Sequence, residues 1–529
     1  MDSTAEVELQ LARDSKGKSK FMVNATVFRY LVLLSNAIAE IPEYGLTTYL
    51  GVDFYDVYTD NGLNQLIKMV PNGFDRHYVL NINIRKGVKL DTNAFKNLDK
   101  LEVLNLVLDG TMLLNGVFSH LSSLKTLTIF ANDLPSIDRH VFSGLAELEQ
   151  LQFRKNDNHF PKRVFDTLSN LRQLDLSWNK IKNAHEVLGT NLNRLSILRL
   201  SGNHIHTLKT STFSTLPSLK ELILNNNFIE RIKHGAFNGL LKLSKLNLRF
   251  NKLTGLHRDM FSTLYALLKL DLQNNNIRIV PRNAFAQLSN LKILLLSHNQ
   301  IAHLNFTIIN LTKLYLQHNN VTEVTREFFE RSSKMRTLNL SNNKIVRIQN
   351  GVFDDLKDLI NLDLSSNGIA YLDPNAFTRL FHLEYLNLSK NKIGELQSIT
   401  FSENSQMKSL DLSHNEIRRL PPGVFATLDL LWYLYLNNNR LESLSNFGFF
   451  RLTNLWELNL SSNNISVLDK MTFAGLGYIG KLYLNDNRIA SVDDATFSSL
   501  RGLQMLTLHN NQLECFNVVL DGGVPKCNH

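Results

Sequence analysis

A chain of 529 residues that is 43% hydrophobic and 20% charged holds ample apolar material for a folded core, which excludes general disorder. No apolar run approaches the roughly 18 residues of a membrane span. The formal charge of +9 comes from 57 Lys and Arg against 48 Asp and Glu with no dense basic run, so nucleic acid is not an expected partner.

Residues 1–27 are polar and read as a disordered N-terminal segment. Phe28-x-x-Leu31-x-Leu33-x-x-Asn36-x-Ile38-x-x-Ile41-Pro42 then sets a pattern that returns throughout the chain. The apolar stretch near Leu31 is therefore read as a repeat rather than as the core of a signal peptide, since Arg29 interrupts it and a polar stretch precedes it. Val52, Tyr55 and Val57 mark a second worn copy, and His77, Leu80, Ile82, Leu90, Phe95 and Leu98 a third. Residues 28–100 are accordingly assigned to degenerate repeats.

From 101 to 514 the line L-x-x-L-x-L-x-x-N-x-L occurs eighteen times, almost always 24 residues apart, as in Leu243-x-x-Leu246-x-Leu248-x-x-Asn251-x-Leu253. Self-similarity at such a period predicts a solenoid in which each repeat stacks on its neighbours. In L-x-L the leucines share one face of a short strand and the intervening residues the other. Seventeen of the eighteen repeats carry Asn at the ninth position, from Asn132 and Asn156 to Asn511, with Asp109 the exception. A buried amide there would satisfy backbone groups where the strand turns into its loop. A phenylalanine recurs farther along, for instance Phe237, Phe261 and Phe285, and fills the other side of the core. The repeat at 291–310 spans 20 residues and is read as lacking its phenylalanine, so a change of curvature is expected there.

The full spacing, L-x-x-L-x-L-x-x-N-x-L-x-x-L-x-x-x-x-F-x-x-L, resembles the typical 24-residue leucine-rich repeat, as in Toll-like receptor ectodomains, chaoptin-like adhesion proteins and secreted matrix proteins. The resemblance implies an α/β leucine-rich-repeat solenoid, a curved horseshoe with a continuous parallel β-sheet on its concave face. It also implies a recognition role outside the cell or at its surface, with a protein or anionic glycan as ligand and a homodimer as a further candidate. Cys515 falls where extracellular members begin a C-terminal cap, so 515–529 is assigned to a short cap closed by a Cys515–Cys527 disulfide. Two free cysteines in an intracellular scaffold are the alternative, as is a matrix structural binder. Among the N-x-S/T sequons, Asn339, Asn387 and Asn459 are by-products of L-N-L-S, whereas Asn305, Asn310 and Asn320 are candidate glycosylation sites.

Outward strand positions of successive repeats line up about 4.8 Å apart. Trp178, Trp432 and Trp456 are all expected among them, the last two in one slot of adjacent repeats beside Tyr433, Tyr435, Tyr483 and Tyr385. Contiguous exposed aromatics serve interface hot spots, though they also simply suit strand surfaces. Between Leu148 and Met335 the same face carries eleven basic residues, Arg154, Lys155, Arg172, Arg199, Lys220, Lys245, Arg249, Lys269, Lys292, Lys313 and Arg336. Only four acids share it: Glu149, Asp175, Glu221 and Asp271. Lys245, Arg249 and Lys269 are its candidate binding residues for an acidic protein or anionic glycan, and an ordinary solvated face is the plainer alternative.

His298 and His318 hold one slot on either side of the short repeat, too few for a closed metal site and most simply exposed polar residues. Catalytic motifs fail on inspection. Gly17-Lys18-Ser19 lacks the earlier glycine of a phosphate loop, Ala12 standing there, and His185-Glu186 meets Gly189 where a second zinc histidine belongs. Neither catalysis nor a cofactor is expected.

Overall fold

A computed structural model describes residues 79–513 apart from 133, 136, 155–159, 445–447 and 494. It also describes 52–58, 60–69 and the backbone of the strands Leu11–Arg13, Ser19–Phe21 and Tyr44–Tyr49. The repeat expected at 28–41, Lys155, Asn156, Cys515 and Cys527 lie outside the described residues. The chain divides into two compact units, Met1–Leu243 and Ser244–His529.

In the first unit the strand Val52–Val57 pairs antiparallel with Tyr44–Tyr49 and parallel with Val79–Ile84, and the helix Asp60–Met69 lies between them in sequence. From Val79 onward each strand pairs in parallel with the next, so that Leu80, Leu104, Leu127, Leu151, Leu174, Leu198 and Leu222 stand in one row. Every one of them is buried. In the second unit the same happens from Lys245–Asn247 to Met505–Thr507, with Leu246, Leu270, Leu294 and their successors in register. The fold is thus the parallel β-solenoid that the 24-residue period implies.

Strand length separates early repeats from late ones. Val103–Asp109 and Thr126–Asn132 run for seven residues each, whereas strands from Gln173 onward are mostly of three. The shortening coincides with the start of the asparagine ladder. Asn203 donates from Nδ2 to the carbonyls of Leu176 (2.9 Å) and Leu200 (3.0 Å), and its Oδ1 accepts from the Ile181 N–H at 3.0 Å. The same three bonds recur at Asn275, Asn299, Asn319, Asn343 and onward to Asn511. To aim the amide inward, the preceding residue takes a left-handed conformation, with φ between 52° and 64° from Trp178 to Asn510. Asn132 departs from the expectation: it ends a seven-residue strand, exposed and paired through its backbone with Asp109. A strand that continues through the ninth position leaves no turn for an amide to fill.

On the side opposite the sheet the recurring phenylalanines stack, Phe353 on Phe377 at 6.3 Å and Phe377 on Phe401 at 6.2 Å between ring centres. The short repeat keeps this row. Phe306, out of the usual register, is buried edge-on between Phe285 (5.5 Å) and Phe328 (5.1 Å), and Phe329 rejoins the stack.

Candidate functional site

The pleat aims the residues on either side of each inward leucine at the outer face of the sheet. In the second unit two such lanes run side by side. One carries Lys245, Lys269, Ile293, Lys313, Thr337, Asn361, Tyr385, Ser409, Tyr433, Glu457 and Lys481; the other carries Asp271, Tyr315, Asn339, Asp363, Asn387, Asp411, Tyr435 and Tyr483. Charge is therefore sorted along this face, basic from Lys245 to Lys313 and acidic with tyrosines from Asp363 to Glu457.

From the end of the basic stretch into the acidic one runs an open groove of about 560 Å³ lined by Lys313, Tyr315, Asp363, Tyr385, Asp411 and Tyr435, among others. Its floor is held by the strand ends. Asp363 Oδ1 accepts from the Ser365 N–H (3.0 Å) and hydroxyl (2.7 Å), and Asp411 Oδ1 accepts from the Ser413 N–H at 2.9 Å. Asn339 donates to Asp363 Oδ2 at 3.2 Å. Tyr433 and Tyr435, two residues apart on one strand, stack with ring centres 6.5 Å apart. Burial, then the charge of Glu457, pushes the Tyr435 phenol up to about 12, so its hydroxyl keeps its proton.

The structure places the three tryptophans off the strands. Trp432 and Trp456 stand one residue before Tyr433–Tyr435 and Glu457–Asn459, 52% and 37% exposed, because these strands start only at the second variable position. The Trp432 N–H bonds to the Lys408 carbonyl and the Trp456 N–H to the Trp432 carbonyl, both at 2.9 Å. Lys292 and Arg336 share this flank lane. The Trp456 ring lies over Gly480, where an added Cβ would stand 2.6 Å from it. Trp178 is in the turn after Gln173–Asp175 at φ 60°, its ring over Gly202. The expected patch is thus two surfaces, an indole flank (Trp432, Trp456) and a tyrosine face (Tyr385, Tyr433, Tyr435, Tyr483).

The basic stripe is interrupted as well. In the first unit Arg154 pairs with Asp175, and Arg172 with Glu149 at 3.6 Å. In the second, Lys245 and Lys269 are exposed neighbours on paired strands, while the Arg249 guanidinium lies 4.5 Å from the Phe250 ring centre. Tyr315, Asp363 and Asp411 went unmarked in the sequence, although their shared lane at multiples of the repeat was the available signal. Of the sequon asparagines, Asn305 is exposed beside Phe306 at a cavity of about 750 Å³ on the phenylalanine side, and Asn310 and Asn320 are half-buried. Among the described residues no group of three His, Cys, Asp or Glu side chains could hold a metal ion, and no helix is long and apolar enough to cross a membrane.

Ten segments between residues 122 and 522, most of them overlapping, match the leucine rich repeat family, and the chain belongs to that family. A zebrafish (Danio rerio) relative, the transforming growth factor beta activator LRRC33, is 28% identical over 156 residues, 28% of this chain and 22% of its own length. The match thus spans about a fifth of that relative. The Drosophila Toll receptor in its complex with Spatzle superposes with a TM-score of 0.66 at 19% identity, covering 89% of this chain and 66% of Toll. The plant peptide hormone receptor RGFR1, in complex with RGF2, gives 0.57 at 22% identity, covering 82% of this chain and 74% of the receptor. At those identities the similarity establishes the fold alone.

Proposed function

We propose that the chain is a non-catalytic recognition module that binds a protein ligand across the sheet face of residues 313–483, as a secreted or cell-surface receptor or adhesion element of innate-immune type. The tyrosine groove carries this reading. A shallow, open surface with Tyr385 45% exposed, phenol hydroxyls and two carboxylates suits the side chains of another protein better than an enclosed small molecule. The acidic stretch Asp363–Asp411–Glu457 favours a partner segment bearing Lys or Arg, and the Lys245–Lys269 end favours an acidic one. Toll with Spatzle and RGFR1 with RGF2 are receptors of this fold solved with ligands, which supports the class and no particular partner.

The test is a screen of the folded chain against extracellular proteins, followed by two double variants on any ligand recovered. Tyr385→Ala with Tyr435→Ala should weaken binding by about 2 kcal/mol or more, the size of a hot spot. Trp432→Ala with Trp456→Ala, on the flank, should weaken it less. The reverse ranking would move the site to the indole flank. Unchanged affinity in both would remove it from residues 385–456 and leave Lys245, Arg249 and Lys269 as the surface to test.

A further inference from the structure

Every strand from Lys313–Tyr315 to Glu457–Asn459 is hydrogen-bonded on both sides. A partner chain cannot join this sheet as an extra strand and must lie across it. In that direction Tyr315, Asn339, Asp363, Asn387, Asp411 and Tyr435 follow one another along one lane, and Tyr385 stands beside Asn387 on the same strand. Asp363 and Asp411 are thus two strand spacings apart, about 9.6 Å, with Tyr385 at the level between them. Both line the groove of about 560 Å³ and both are half-buried. Among the described residues neither has an ion-pair partner, whereas the neighbouring Glu384 is taken by Lys408 and Glu457 by Lys481.

We infer that the groove seats a proline-rich segment in the polyproline II conformation with arginines three residues apart, one on Asp363 and the other on Asp411. This occupant presupposes the tyrosine groove of the proposed function and specifies what fills it. A polyproline II chain turns once in three residues and advances about 9.3 Å, so side chains on one face recur at the spacing of the two aspartates. A β-strand misses it, with same-face residues about 6.6 Å and then about 13 Å apart. An α-helix comes near it at about 10.5 Å over seven residues. Helices, however, lay an apolar stripe into an apolar groove, and this floor presents phenols, amides and carboxylates. Prolines between the arginines would rest on the Tyr385 ring, and the backbone carbonyls, unused within polyproline II, are free to accept from the tyrosine hydroxyls. Arginine suits the seats better than lysine, because its planar fork meets a carboxylate and stacks on a ring. Exposed Lys313, at the far end of the groove, repels any further cation and confines the basic pair to the aspartate end.

Calorimetric titration of the full chain with capped peptides tests it. The matched peptide is all proline except for two arginines three residues apart; the others carry the arginines two apart, carry citrulline in their place, or are alanine-rich helices with arginines seven apart. The matched peptide should bind about tenfold or more tighter than each of the others, the size of one charge-assisted hydrogen bond, and should weaken as salt is raised. Asp363→Asn with Asp411→Asn should lower its affinity to that of the citrulline peptide and leave thermal unfolding unchanged. Asparagine already holds this lane at Asn387 and Asn459, where Oδ1 accepts from the Ser389 and Ser461 N–H, both at 3.0 Å. Should the double variant fail to fold, the citrulline comparison decides alone. No binding of the matched peptide, equal binding with the arginines two apart, tighter binding of the helix, or a folded double variant that still binds would each overturn the inference. Those results leave the groove standing as a protein-binding face, which fails separately if Tyr385→Ala with Tyr435→Ala does not weaken a recovered protein ligand.

Discussion

Asn391→Ala removes a side chain that is 8% exposed and makes four hydrogen bonds, the longest to the Ser389 carbonyl at 3.2 Å. Its Nδ2 donates to the Leu364 carbonyl (3.0 Å) and the Leu388 carbonyl (2.9 Å), and its Oδ1 accepts from the Ile369 N–H at 3.1 Å. The consequences are unequal. Leu364 O also accepts from Asn367, and Leu388 O from Asn415, so each carbonyl keeps a partner in the variant. The Ile369 N–H loses its side-chain acceptor inside the core. An orphaned buried donor costs about 1–3 kcal/mol and each of the two lost inter-strand bonds about 0.5–1.5 kcal/mol net, which puts the substitution at about 2–6 kcal/mol. Asn132→Ala, at an exposed strand end outside the ladder, should stay within about 0.5 kcal/mol. Urea unfolding followed by circular dichroism gives both values, and hydrogen exchange gives the local one: the Ile369 amide should exchange about a hundredfold faster in the Asn391 variant. Equal effects at the two positions, or an Ile369 amide as protected as in the parent, would refute the ladder as the source of stability.

Phe306→Ala should cost about 3–5 kcal/mol, measured by the same unfolding, because the ring bridges Phe285 to Phe328 across the short repeat; a neutral result would make that repeat self-supporting. Mass spectrometry of protein from its natural source should find Cys515 joined to Cys527 and glycan on at least one of Asn305, Asn310 and Asn320, with exposed Asn305 the first to examine. Free thiols with bare asparagines would sink the extracellular assignment. Tyr435 has a folded-state pKa of about 12 against an ordinary 10, so the stability it contributes is complete below pH 10 and disappears as pH rises through 12. Phenolate absorbance compared with Tyr435→Phe checks this, and a Tyr435 signal appearing near pH 10 would contradict its burial.

The repeat made the fold legible because each inward residue type answers a need that recurs every 24 residues. Leu246, Leu270 and Leu294 face the interior and are buried, as the pattern requires. The early repeats were harder to read. Asn132 holds the template's asparagine position, yet its strand continues for seven residues and the amide never turns inward. Spelling gives the residue and not the length of the strand it ends. The short repeat misled in the opposite way: Phe306 lies outside the phenylalanine register, but a deletion shifts register, and the core still had a ring-sized space to fill.

The binding face was legible in outline and blurred in detail, for a physical reason. Trp432 and Tyr433 are neighbours in sequence and were assigned to one patch, yet where the strand begins decides which of them stands on the sheet face and which on its flank, and that boundary falls between them. A leucine displaced by one position would unfold a repeat, so selection for folding keeps the inward register strict. Outward side chains carry no such constraint, because exchanging Tyr385 for Lys or Asp363 for Asn leaves the core untouched. The information about a partner is therefore concentrated where the fold imposes least. It becomes readable only after the lanes are laid side by side, when Tyr315, Asp363, Asp411 and Tyr435, up to 120 residues apart in sequence, appear around a single groove.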